Sequence, residues 1–230
     1  ALVFGTTTTT GGIATGGGLV LDGTDYFNFI TDLKPGVTGG DPLIDYGTND
    51  VLTGTANNDD ISVHKGNDKA YGGAGNDVFH DLVSGNDQFF GDAGLDTFYL
   101  GKGNDVANGG AGNDTVNYTG INYTVIADLS TGFAFADGID QLISIENVVG
   151  SEWNDTIKGN NLANQLSGGD GNDTLWGRGG ADVLYGGNGN DTMMGNDGKN
   201  AVVTTRGPGF EDRMYGQGGN DKMSGDDGRD

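Results

Sequence analysis

Between Gly168 and Met194 the chain reads GGDGNDTLW GRGGADVLY GGNGNDTMM, and an apolar residue returns every nine positions at Leu175, Leu184 and Met193. Each apolar position belongs to a unit of six small or polar residues followed by three extended ones, of which it is the middle. Six residues rich in Gly, Asn and Asp do not hold a helix, because Gly costs about 1 kcal/mol per position and Asn and Asp bond their own backbone. They predict a turn. The three residues that follow predict a short strand, whose middle side chain points one way and its neighbours the other. Two nonapeptides then close one flattened coil with a strand on each side, and the apolar eighth residues of both strands meet inside. The same phase gives an inward set of Leu52, Ile61, Ala70, Phe79, Phe89, Phe98, Ala107 and Val116, then Ile157, Leu166, Leu175, Leu184, Met193, Val202, Met214 and Met223. The pattern predicts an all-β chain, a parallel β-roll of stacked 18-residue coils.

The period also divides the chain. Residues 1–44 lack it; Thr6 to Thr10 and Gly16 to Gly18 read as a link, and the whole as an irregular N-terminal cap or arm. Residues 45–117 form a first repeat block, with one single-residue slip between Asp77 and Asp87. Residues 118–148 read as a β insert that continues the stack without binding metal, with strands at Asn122 to Leu129 and Phe133 to Ala136 around a turn at Ser130 to Gly132. Residues 149–230 form a second block, with a three-residue insertion around Thr204 to Arg206. Its last residues, Gly225 to Asp230, make a turn lacking its strand, the expectation for a segment of a longer polypeptide.

Charge changes the picture. The net charge is −22, and the 34% hydrophobic content is low, a combination that leaves a chain disordered unless something neutralises it. The carboxylates follow the period at its sixth position: Asp50, Asp59, Asp68, Asp77, Asp87, Asp96, Asp105 and Asp114 in the first block, then Asp155, Asp173, Asp182, Asp191, Asp212, Asp221 and Asp230, with Asn164 and Asn200 between them. Turns two repeats apart share an edge of the roll, so Asp59 should face Asp77, Asp77 face Asp96, Asp173 face Asp191, and Asp50 face Asp68 on the opposite edge. Strand stacking sets them roughly 4.8 Å apart. At that spacing two ionised carboxylates repel, and they protonate or share a cation. A hard divalent ion with six or more oxygen ligands suits such a turn, whose glycines expose backbone carbonyls. Calcium fits better than magnesium, which demands a tighter octahedron. Zinc wants His or Cys, and the chain has 2 His and no Cys. On the order of ten divalent ions would bring the charge close to neutrality, so folding and metal binding become one event. Modules of this kind bind at roughly 0.1 to 1 mM, the calcium level outside cells.

Other chemistries find little support. Without Cys there are no disulfides, no run is long enough to cross a bilayer, and 11 scattered Lys and Arg make no basic patch for nucleic acid. There is no HExxH, no GxSxG elbow and no phosphate-binding loop with Lys, so no catalysis is expected, and His64 and His80 read as structural. Large outward residues at the ninth position, Tyr71 with Phe90 and Trp176 with Met194 and Tyr215, read either as neighbours covering each other or as a stripe for self-association or for neighbouring domains of a longer chain.

From Asp45 to Asp230 the repeats resemble the RTX (repeats-in-toxin) family, which bacteria export by type I secretion. The segment Ile145 to Ser151 resembles the region between repeat blocks in serralysin-type proteases. The resemblance implies calcium between same-edge turns, held by the sixth-position Asp and turn carbonyls. It places strong sites where both glycines remain, with Gly73 and Gly75 beside Asp77, Gly110 and Gly112 beside Asp114, Gly169 and Gly171 beside Asp173, and Gly187 and Gly189 beside Asp191. Two functions follow from it: an extracellular structural module of a surface layer, filament or adhesin, or the export and folding module of a larger secreted enzyme.

Overall fold

The computed structural model describes residues 43–44, 49–195, 213–218 and 222–224. The amino-terminal cap or arm therefore lies outside the described residues, apart from a two-residue strand at Leu43–Ile44. Strands alternate between two sheets along the chain, with ten in one and twelve in the other among the described residues. Pairing is parallel and in phase, so like positions stack. Ile61, Phe79, Phe98, Val116, Val148, Leu166 and Leu184 form one inward column, with Phe79 stacked on Phe98 at 4.9 Å. The opposite column includes Leu52, Ala70, Phe89 and Ala107, then Ile157, Leu175 and Met193. The columns meet inside, where Phe79 and Phe89 pack edge to face at 5.7 Å. All these residues are fully buried. With one inward strand residue per nonapeptide, the core is one side chain thick on each side, and each rung depends on its neighbours.

The insert enters the second sheet alone. Ile126–Asp128 and Phe133–Phe135 pair antiparallel across a turn that Gly132 closes by donating its amide to the Asp128 carbonyl (2.9 Å). Ile139–Ile143 pairs antiparallel with Phe133–Phe135 and parallel with Val106–Asn108, while Ile126–Asp128 runs parallel to Thr156–Lys158. The first sheet gains only Asn147–Val149 over the same stretch. Tyr118 helps to fill the resulting mismatch: it is fully buried, and its hydroxyl donates to Asp140 Oδ2 at 3.0 Å.

Three expectations change at the carboxy-terminal end. Val183–Asn188 pairs directly with Arg213–Gly218, and Thr192–Met194 with Lys222–Ser224, so no rung carrying Val202 lies between either pair. Residues 196–212, with the expected insertion, Asn200 and Val202, lie outside the described residues. This pairing also changes which sheet the later repeats join. Trp176 pairs with Met194, whereas Tyr215 stacks on Tyr185 in the other sheet at 5.1 Å. Met223 is 53% exposed because Met193 flanks it on one side only among the described rungs.

Candidate metal centre

Each sixth-position carboxylate is fastened to the preceding turn of its edge. The amide of Asp59 donates to Asp77 Oδ1, that of Asp77 to Asp96, and that of Asp96 to Asp114, each at 2.8 Å. On the other edge Asp50 donates to Asp68 (2.8 Å), Asp68 to Asp87 (2.7 Å), Asp87 to Asp105 (2.8 Å), Asp155 to Asp173 (2.8 Å) and Asp173 to Asp191 (2.9 Å). The fifth-position asparagines answer in the opposite sense. Asn58 Oδ1 accepts from the amide of Asn76 (2.8 Å), Asn67 from Asn86 (2.9 Å) and Asn154 from Asn172 (2.7 Å). Adjacent coils are thus stitched twice, once in each direction. The Asn role went unread in the sequence, although its signal was there in the recurring Asn-Asp pair.

The second carboxylate oxygen behaves differently. Asp77, Asp87, Asp96, Asp105, Asp114 and Asp173 are buried, and their Oδ2 atoms have no hydrogen-bond partner. In the turns headed by Gly72, Gly91, Gly109 and Gly168, a Cβ at that first glycine would collide with the same Oδ2. Absence of a side chain is therefore what lets the carboxylate tuck under its own turn. Burial, joined by neighbouring carboxylates, pushes Asp77 and Asp114 up to about 6, Asp173 to about 7 and Asp105 to about 8. A buried anionic oxygen without a donor is costly, so these turns want a proton or a cation.

Other turns close themselves. Asp59 Oδ2 accepts the amide of Thr55 (2.6 Å) and its hydroxyl (3.0 Å). Asp155 Oδ2 accepts the amide of Ser151 (2.6 Å) and its hydroxyl (3.1 Å), and Asn164 Oδ1 accepts the amide of Asn160 (2.8 Å). The second residue of the turn differs between these closed turns and the open turns at Asp77, Asp114 and Asp173. Gly73, Gly110 and Gly169 have φ of +106°, +94° and +108°, whereas Thr55, Ser151 and Asn160 are not among the residues with positive φ. At the three glycines the sixth-position Oδ2 is left without a donor, whereas at Thr55, Ser151 and Asn160 the second amide bonds its own sixth-position side chain; in the Asp87 and Asp105 turns the second amides, of Val83 and Gly101, bond Asp81 instead. Arg178, at the second position of its turn, instead reaches across the neutral Asn164 turn. Its guanidinium donates to Asp128 Oδ1 (2.6 Å) and Oδ2 (2.8 Å), to the Gly159 carbonyl (2.8 Å) and to the Ser130 hydroxyl. Desolvation would raise Asp128, but Arg178 and Ser130 outweigh it and hold the carboxyl at about 2.

Comparison with known families matches the RTX calcium-binding nonapeptide repeat at residues 36–70, 44–79, 83–116, 145–175, 158–193, 167–202 and 209–230, together well over half of the chain. The chain belongs to this RTX family. No match emerges among curated proteins. The RTX roll is a calcium-binding module, and oxygen-only turns with buried, donorless carboxylates fit a hard divalent cation. The turn glycines named from sequence, Gly73, Gly75, Gly110, Gly112, Gly169, Gly171, Gly187 and Gly189, all take positive φ, from +94° to +156°. Asp182 sits on the edge shared with Asn164, whose amide donates to its Oδ1 (2.9 Å). Asp212, Asp221 and Asp230 lie outside the described residues. His80 stacks on Tyr99 at 4.9 Å, a packing role.

Proposed function

We propose that this RTX roll is the calcium-folded structural module of an exported bacterial protein, and that it assembles with further copies at the cell surface as a layer, filament or adhesin. The calcium reading rests on the row of buried Oδ2 atoms without donors at Asp77, Asp87, Asp96, Asp105, Asp114 and Asp173. Those carboxylates and the carbonyls of their glycine turns are the groups that would hold the ions. Calcium supplies the positive charge that lets stacked anionic turns approach. Turns at Asp59, Asp155 and Asn164, whose oxygens the chain itself occupies, would hold calcium weakly or not at all. In a low-calcium cytosol the repeat blocks stay extended for export, and they fold where calcium reaches roughly 0.1 to 1 mM.

Support for assembly comes from the outer face of the insert. Ile126, Phe135 and Ile139 lie in one cross-strand row, with Phe133 beside it and Ile143 further along its strand, all 37 to 50% exposed. Contiguous apolar surface of this kind marks interaction sites. Calcium titration followed by circular dichroism, with magnesium as control, tests the folding. Sedimentation and electron microscopy at saturating calcium test the assembly. Ordered sheets or fibres that Phe135→Lys abolishes without changing the dichroism support it, and a strictly monomeric chain favours the export module of a larger enzyme.

A further inference from the structure

Asp81 stands outside the nonapeptide scheme. It falls between the matched segments that end at residue 79 and begin at residue 83, and it is not a sixth-position residue. The sheet register pairs it with Val63, and the irregularity between Val63 and Lys65 places the extra residue of the first block directly after it. Val63 and Leu100, at the corresponding place in the turns on either side, are apolar and buried. A carboxylate has entered an apolar column, and it is itself 8% exposed.

Its surroundings explain why it is tolerated. Asp81 Oδ1 accepts the amide of Val83 and Oδ2 that of Gly101, each at 3.2 Å. These are the second-position amides of its own turn and of the next one on that edge. Asp87 and Asp105 lie beside it, at 0% and 1% exposure, each with an Oδ2 that has no hydrogen-bond partner. Asp81, Asp87 and Asp105 each offer an oxygen, and the three oxygens lie within 4.8 Å of one another. Asp140, the next carboxylate along this edge, is not part of this group of three; Tyr118 donates to its Oδ2 and the Asp105 amide to its Oδ1.

We infer that Asp81, Asp87 and Asp105 form a three-carboxylate calcium site in which Asp81 is an additional ligand that the repeat does not encode. This rests on the calcium reading above and deepens it. Three carboxylates converge where an ordinary pair of turns brings two, and calcium affinity rises with ligand charge. The site is therefore the tightest in the chain and the first to fill, and it would nucleate the first block.

The test is calcium competition against a chromophoric chelator with the full chain, comparing wild type with Asp81→Asn and Asp81→Leu. Wild type should show one ion bound at least about tenfold tighter than the rest. Both substitutions should abolish that tight class and leave the weaker sites unchanged. Asp81→Leu, which restores the apolar column, should also raise the melting temperature of the calcium-free chain, an effect that a purely structural Asp81 would reverse. A tight class that persists unchanged in both variants overturns the inference while leaving the calcium reading standing. A wild-type chain that binds no calcium overturns both. If Asp81→Leu does not fold at saturating calcium, Asp81→Asn alone decides.

Discussion

The turn from Gly72 to Asp77 and the turn from Gly150 to Asp155 carry the same carboxylate at the same place, fully or almost fully buried in both. In the first, Oδ2 stands without a donor under a glycine; in the second, the amide and hydroxyl of Ser151 occupy it. The difference traces to one backbone angle at the second residue, positive at Gly73 and not at Ser151. A repeat that looks uniform in sequence therefore contains two kinds of joint: one whose carboxylate oxygen the chain leaves without a donor, and one closed by the chain. Apart from the one at Asp59, the closed joints gather around the insert, at Asp140, Asp155 and Asn164, where Arg178 adds a built-in cation bridging three rungs. The middle of the roll is thus equipped to hold together before calcium arrives, and the flanking blocks are not.

The largest expected effect follows from removing calcium. Hydrogen exchange on the chelated chain should show the rungs from residues 50–114 and 165–194 exchanging freely, while protection persists longest across residues 118–164. Uniform protection throughout would erase the distinction. Next is Arg178→Gln, which strands the Asp128 carboxylate after removing a bidentate partner. It should destabilise the calcium-saturated protein by about 1–3 kcal/mol in thermal unfolding and leave calcium stoichiometry unchanged. Gly168→Ala drives a methyl into Asp173 Oδ2, and it should cost about 1–3 kcal/mol together with one calcium. Ser151→Ala removes a hydroxyl from a closed turn, and a loss of about 1 kcal/mol with no change in bound calcium is expected.

Acid sharpens the same contrast. Folded-state values raised from 3.8 to about 6 at Asp77 and Asp114, about 7 at Asp173 and about 8 at Asp105 mean that the calcium-free fold binds more protons than the unfolded chain. Its stability is greatest below about pH 4 as far as these groups are concerned, and is lost as pH rises through 6 to 8. Lowering the pH from 8 to 5 without calcium should therefore restore β-structure. It should also raise the calcium concentration needed for half-saturation, because protons and ions claim the same oxygens.

Much of this was legible in the sequence. The apolar column from Leu52 to Met193 and the same-edge pairing of the aspartates follow from a nine-residue period and from strand geometry, both local rules. What sequence alone did not disclose depends on neighbours. The direction in which Thr55 or Ser151 points its amide is set by backbone conformation, which residue identity only biases. The reach of Arg178 to Asp128 spans the turn between them, and the hairpin that places Phe135 beside Ile126 forms only in one sheet. The pairing of Leu184 with Met214 and of Met193 with Met223 was not legible either, because register is decided by which rungs pair and not by counting.

The most direct test is a crystal structure of calcium-saturated protein with anomalous scattering used to locate the ions. Peaks beside Asp77, Asp96, Asp114 and Asp173, with none in the turns closed by Ser151 and Asn160, are the predicted result. Ions in the closed turns, or open turns still lacking them at saturation, would contradict it.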